Sequence, residues 1–158
     1  MKPVTTEEFW KQRIIDSKNY GDIHHSVYIS TNSLWEKIAE AHRKILKPYE
    51  DKKVLDAGCG YGRASQWFND YTGVDLSPDL LAKAREFYPD KNFIQARLEK
   101  LPFKDKEFDM AFCISIKAMI IGNLGEAVWQ PMEEEIKRVA KEVLILEYEE
   151  SENFTILR

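Results

Sequence analysis

An apolar run that ends in alternating glycines constrains this chain more than any other feature. Val54-Leu55-Asp56-Ala57 is followed directly by Gly58-Cys59-Gly60-Tyr61-Gly62. Lys53 to Ala57 has the character of a buried strand, and a helix is expected from about Arg63 to Phe68. The glycine turn therefore sits at the carboxyl end of a strand, where open parallel sheets bind their ligands. Glycine allows the backbone to bend sharply there and leaves room where a Cβ would collide with a bound group. A plain structural turn has the same signature, so the loop alone leaves both readings open.

Spacing narrows the choice. A dinucleotide fingerprint requires a third glycine at the position that Arg63 occupies, and a phosphate-binding P-loop requires a Gly-Lys-Ser/Thr ending that does not follow. The next strand, Tyr71 to Asp75, ends in an acid 17 residues beyond Gly58. A carboxylate at that point can accept hydrogen bonds from both hydroxyls of a ribose. The competing reading is that Asp75 only shapes the turn into a helix capped by Ser77, with Pro78 at its first position. Loop and acid together favour ribose binding.

The remainder of the body continues the alternation. Strands are expected at 92–96, 108–115 and 143–148, and a helix from about Pro131 to Lys141 precedes the last. Strand and helix in turn imply right-handed crossovers and a mostly parallel sheet covered on both faces, a three-layer α/β sandwich. Before it, residues 1–51 form a helical leader. Thr5 with Glu8 and Ser33 with Glu36 fit the capping box, opening one helix that carries Phe9, Trp10, Ile14 and Ile15 and a second that stops before Pro48. Residues 1–158 are read as one domain, with 52–158 as its body.

Charge and cysteine content bound the function further. A net charge of −4 and the absence of a basic stripe disfavour large nucleic-acid substrates. No apolar run reaches membrane-spanning length and no secretory signal is visible, and Cys59 and Cys113 stand far apart, so a cytoplasmic protein with two free thiols is expected. No His, Cys and acid cluster has metal spacing. Eight glutamates between Glu133 and Glu152 are read as a solvated helix face and loop.

Three segments in order carry a family resemblance: Asp56-Ala57-Gly58-Cys59-Gly60-Tyr61-Gly62, then Gly73-Val74-Asp75-Leu76-Ser77-Pro78, then Leu101-Pro102-Phe103 followed by Phe108-Asp109. They resemble the successive motifs of class I S-adenosylmethionine-dependent methyltransferases, most closely the small-molecule branch that includes the quinone-biosynthesis enzymes. The resemblance covers roughly Lys52 to Tyr148 and implies a Rossmann-like sheet with a helical N-terminal lid. It places Gly58, Cys59 and Gly60 under the methionine part of the cofactor, Asp75 on the ribose and Leu76 on the adenine. Asp56, Gly62, Arg97, Leu98 and Ser115 complete the implied cofactor-binding set.

The chain departs from the pattern in three places. Arg97 stands where the family carries an acid that contacts the adenine amino group, and arginine cannot accept a hydrogen bond. Its guanidinium could stack on the purine instead, with the Leu98 amide reaching the ring. The Pro-Gly-Gly turn before the fifth strand is replaced by Val139-Ala140-Lys141-Glu142. The family continues beyond the fifth strand with a helix and two strands, whereas here only Phe154 to Leu157 offers one, antiparallel to the fifth. Such a shortened sheet exposes an edge that a homodimer would cover.

Methyl transfer from a sulfonium needs position more than covalent help, so no obligatory catalytic residue is expected. His24, His25 and Tyr28, in an irregular segment with Tyr20, and Lys117 after the fourth strand are candidates for the acceptor side; surface or packing roles are the alternative. Met119, Ile120, Ile121 and Trp129 form an apolar wall of core or pocket. Cys113-Ile114-Ser115-Ile116 lacks the motifs of DNA methyltransferases. A small-molecule acceptor is the expectation, against a module that binds the cofactor without turnover or an NAD-dependent oxidoreductase.

Overall fold

The computed structural model describes residues 5–19, 33–148 and 154–157. Two leader helices come first, α1 (Thr6–Asn19) and α2 (Ser33–Leu46), the second running into a short 3-10 turn at Lys47–Tyr49. Thr5 closes the capping box expected of it: its amide and hydroxyl donate to the Glu8 carboxylate, and its Oγ1 accepts from the Glu8 amide. The Ser33–Glu36 box falls on side chains outside the described residues.

Six strands form one sheet in the order β3-β2-β1-β4-β5-β6: β1 (Lys53–Ala57), β2 (Asp70–Asp75), β3 (Asn92–Gln95), β4 (Phe108–Ile114), β5 (Ala140–Tyr148) and β6 (Phe154–Leu157). The first five are parallel and β6 is antiparallel to β5, with Tyr148 opposite Phe154, the direction expected of residues 154–157. The connecting helices are α3 (Pro78–Phe87), α4 (Lys117–Leu124) and α5 (Glu126–Val139).

Alternation along each strand sends side chains to opposite faces. On one face Leu55, Ala111 and Cys113 meet Ile120, Trp129, Met132 and Ile136. On the other, Val54, Met110 and Phe112 meet Leu46, Phe68, Leu81 and Phe93. Phe68 stacks on Phe112 with ring centroids 5.3 Å apart. Each leucine, isoleucine, valine, methionine or phenylalanine among them contributes roughly 1.5–3 kcal/mol on leaving water.

Four expectations change. The helix after the glycines is only a 3-10 turn, Arg63–Trp67, and β3 connects to β4 without a helix. Pro131 does not open its helix but lies inside α5, five residues past the start. Trp129, Met132, Ile136 and Val139 are all buried, and this spacing is one continuous helical stripe. Burying that stripe outweighs the hydrogen bond a proline removes. Nor is the acidic run simply solvated. Glu135 accepts from the Leu101 amide and pairs with Arg138, which also donates to the carbonyls of Leu101 and Phe103 and to Asp105, pinning the loop before β4.

One polar side chain of β1 enters the interior. Asp56 is 4% exposed and accepts a 2.8 Å hydrogen bond from the Tyr71 hydroxyl of β2. Burial pushes its carboxyl up to about 7, against the hydrogen bond from Tyr71, which pulls it down. The folded protein therefore holds a proton that the unfolded chain releases near pH 4, so this group subtracts stability progressively as pH rises from about 4 to 7. Asp56→Asn should lack that loss: measured by urea denaturation, its stability relative to wild type should rise between pH 5 and pH 8. A constant difference would mean that Asp56 is ionised throughout. Two glycines give a second check. Gly62 has φ +80° and a Cβ there would lie 2.5 Å from the Phe93 ring, so Gly62→Ala should cost roughly 2–4 kcal/mol. Gly122 has open space around it on α4, and Gly122→Ala should add about 0.5–1 kcal/mol.

Candidate cofactor site

β1 lies between β2 and β4, the point where the strand order reverses direction. Helices and loops leaving those strands diverge there, opening a crevice at their carboxyl ends. A cleft of about 890 Å³, counting its open mouth, occupies this position.

The glycine turn forms one lip. The amides of Gly58 and Cys59 both donate to the Val74 carbonyl of β2, at 2.8 and 2.9 Å. Gly58 takes φ +84°, and a side chain on it would run into Ile116. The turn thus needs a bare backbone both for its conformation and for the space beneath it.

Asp75 ties this lip to the next element. Its Oδ2 accepts from the Gly60 amide at 2.8 Å and its Oδ1 from the Ser77 amide at 2.9 Å. Ser77 in turn accepts from the Leu80 amide through Oγ at 3.2 Å, the N-cap expected of it. Burial raises the Asp75 carboxyl, while the backbone hydrogen bonds from Ser77, Gly60 and Leu76 pull it down. Each carboxylate oxygen keeps a further lone pair for a hydroxyl donor.

The third wall begins at Ser115, whose φ of +55° is left-handed, a strained state for a residue other than glycine. Its amide donates to the Leu146 carbonyl at 2.8 Å, and the chain then swings into α4. The start of α4 is capped from β5: the Glu147 carboxylate accepts from the Ala118 amide at 3.3 Å, and burial raises its pKa.

Of the residues singled out from sequence, Asp56, Gly58, Cys59, Gly60, Asp75, Leu76, Leu98 and Ser115 line the cleft together. Gly62 does not; it backs onto Phe93 and Ala84. Arg97 also lies outside the lining, half exposed, with NH2 3.0 Å from Glu99 and NH1 3.7 Å from Glu7 of α1. Lys117 is held by Glu133 at 3.1 Å and lies over the Trp129 ring, away from the cleft lining. His24, His25, Tyr28 and Tyr20 fall outside the described residues. Of the apolar wall, Met119 and Ile120 line the cleft, whereas Trp129 is buried core.

Several lining residues were not singled out: Thr6 and Trp10 of α1, Arg63, Glu99, Ile116 and Met132. Arg63 stood at the position a dinucleotide fingerprint gives to glycine, Glu99 lay two residues after Arg97, and Trp10 was among the apolar residues of the first helix. Cys59 and Cys113 are free thiols, both pushed up by burial. Among the described residues no three His, Cys, Asp or Glu side chains gather as a metal site, and no helix is long and apolar enough to cross a membrane.

Comparison with known proteins agrees with this geometry. Residues 55–143 match the family model described as a methyltransferase domain, more than half of the chain. A demethylmenaquinone methyltransferase of Chlorobaculum tepidum is 33% identical over 95 residues, covering 56% of this chain and 39% of the relative. A malonyl-[acyl-carrier protein] O-methyltransferase of Enterobacter lignolyticus is 34% identical over 89 residues, 54% of this chain and 36% of the relative. The chain thus spans under two fifths of the length of these curated relatives. Among solved structures, a protein of Pyrococcus horikoshii superposes with a TM-score of 0.64 at 25% identity, over 78% of this chain and 65% of its own. With a glycine lip, an acid on the adjoining strand and a matching family model over the same residues, the chain belongs to the methyltransferase-domain family, in the Rossmann-like, S-adenosylmethionine-dependent class I.

Proposed function

We propose that this chain binds S-adenosylmethionine in the cleft between β1, β2 and β4 and passes its methyl group to a small-molecule acceptor in the cytoplasm. The observation that carries the reading is the Asp75 carboxylate, which holds the glycine lip by Gly60 and still presents lone pairs to the cleft. The residues fit the group. A cradle under Gly58 and Gly60 suits the methionine part, Asp75 the ribose hydroxyls, and Leu76, Leu80 and Leu98 an aromatic base. Asp56 and Ser115 lie on the floor of the same cleft.

S-adenosylmethionine, when bound, supplies a methyl group already activated on a sulfonium. The chain's own contribution is to hold two reactants in line and keep water out. Alignment of that kind supplies roughly 7–11 kcal/mol in favourable cases. Ile116, Met119, Ile120 and Met132 give one side of the cleft an apolar surface that can seat an organic acceptor, and Trp10 and Thr6 of α1 close over the same space. This supports α1 as the lid part of the 1–51 leader within a single 1–158 unit, whereas α2 packs Leu46 into the core of the sheet; His24, His25 and Tyr28 stay acceptor-side candidates. A second copy covering the β6 edge of the sheet is part of the same reading.

Isothermal titration with S-adenosylhomocysteine, followed by release of labelled methyl to a metabolite mixture, tests the reading. Binding with turnover is expected; binding without turnover would leave a cofactor-holding module. Asp75→Ala should weaken binding by roughly 1.5–3 kcal/mol, the scale of a charge-assisted hydrogen bond. Unchanged affinity in a variant that still folds would remove Asp75 from the ribose.

A further inference from the structure

Two neighbouring segments build the wall opposite Ser115. Register pairs Asp75 with Gln95, so the residues leaving β2 and those leaving β3 run side by side. The Gln95 side chain donates from Nε2 to the Leu76 carbonyl at 3.1 Å, and the Ala96 backbone amide donates to the Asp75 carbonyl at 3.1 Å. Leu76 and Leu80 from the first segment and Leu98 from the second give this wall apolar surface. Glu99 joins the lining beside Leu98.

Glu99 is held in place from behind. Arg97 donates to its Oε1 at 3.0 Å, and the Lys100 amide donates to the Arg97 carbonyl at 3.1 Å, closing the turn that carries both side chains. Arg97 reaches Glu7 of α1 with its other terminal nitrogen, 3.7 Å away, so its charge stands outside the cleft. The Glu99 side chain is 27% exposed against 47% for Arg97. A carboxylate offers about four lone-pair sites, of which Arg97 engages one.

A purine set between leucines satisfies its faces, but an exocyclic amino group withdrawn from water needs an acceptor or forfeits its hydrogen bonds. Arg97 offers donors only. Resting on the reading that the cleft holds S-adenosylmethionine, we propose that Glu99 accepts the adenine amino group and that Arg97 is a positioning residue acting through it. The site then selects an amino-purine over an oxo-purine, whose carbonyl would face a carboxylate.

The test compares S-adenosylhomocysteine with S-inosylhomocysteine, in which a carbonyl replaces the amine, by isothermal titration of the whole chain. Wild type should bind the adenine form at least about tenfold more tightly, as expected for a hydrogen bond to a charged group. Glu99→Gln can donate as well as accept, and the ratio should fall to within about threefold. Arg97→Met should narrow the ratio part of the way, whereas a merely structural role would weaken both ligands alike. Glu99→Ala, measured in parallel, should also lose the preference and decides the matter if the amide variant does not fold. A Glu99→Gln protein that melts with wild type and keeps the full preference overturns the assignment and leaves base reading to the Leu98 backbone. Wild type binding both ligands equally removes Glu99 alone; wild type binding neither removes the cofactor reading itself.

Discussion

The site depends on one carboxylate bonded to backbone on two sides. Asp75 accepts from Gly60 in the turn after β1 and from Ser77 at the start of α3. The first turn is also bonded to the Val74 carbonyl and the second is closed by the Ser77 cap, but only Asp75 joins the two, and both must stay open towards the cleft. A charged acceptor forms stronger hydrogen bonds than a neutral one, so a single side chain can set two loops against each other. Burial works against that charge and the three backbone amides work for it, leaving Asp75 with a carboxyl raised above its ordinary value. A donor hydroxyl from a ligand would add to the side that favours ionisation.

The sheet determines where this carboxylate stands. β1 pairs with β2 along Lys53 to Ala57 and with β4 along Val54 to Asp56, so the ends of all three strands are level. Asp56, the last polar residue before the glycines, is bonded inward to Tyr71 rather than outward. The floor of the cleft is thereby tied to the core of the sheet. The far wall carries strained backbone, Ser115 holding a left-handed conformation that lets the chain leave β4 and start α4 beneath the cleft. Glu147 supplies from β5 the cap that the sequence around Ile116 lacks.

What could be read from sequence follows the range of the interactions involved. The glycine turn, the Ser77 cap and the Thr5–Glu8 box are settled by residues within a few positions of one another, and all three stand as expected. Five parallel strands followed from the alternation of apolar runs. Pro131 misled because its local preference for a helix start was set against burial of Trp129 in a core the sequence does not display. Helix α4 was read only as an apolar wall, since Met119, Ile120 and Ile121 in succession carry no clear period. Arg97 was expected near the base from its place in a motif; the ion pair with Glu7 of α1, 90 positions earlier, lies beyond any local pattern.

That distinction bears on specificity. Residues 55–143 include every strand-end and loop residue offered for the donor, and the same residues match the family model. Thr6 and Trp10 fall outside that stretch, on a helix that meets the body over the cleft. Arg97 links the two parts, bonding Glu7 on the leader and Glu99 on the cleft wall. An exposed pair of this kind contributes little to stability, about 0–1 kcal/mol, and is a weak anchor. Trp10 adds apolar packing against the core cluster beneath α4 and α5, so α1 is seated on the body by more than this ion pair. Under the proposed reading the donor's cradle lies within the matched stretch, and the acceptor would be met by α1 and by the apolar face of α4 and α5 beneath it.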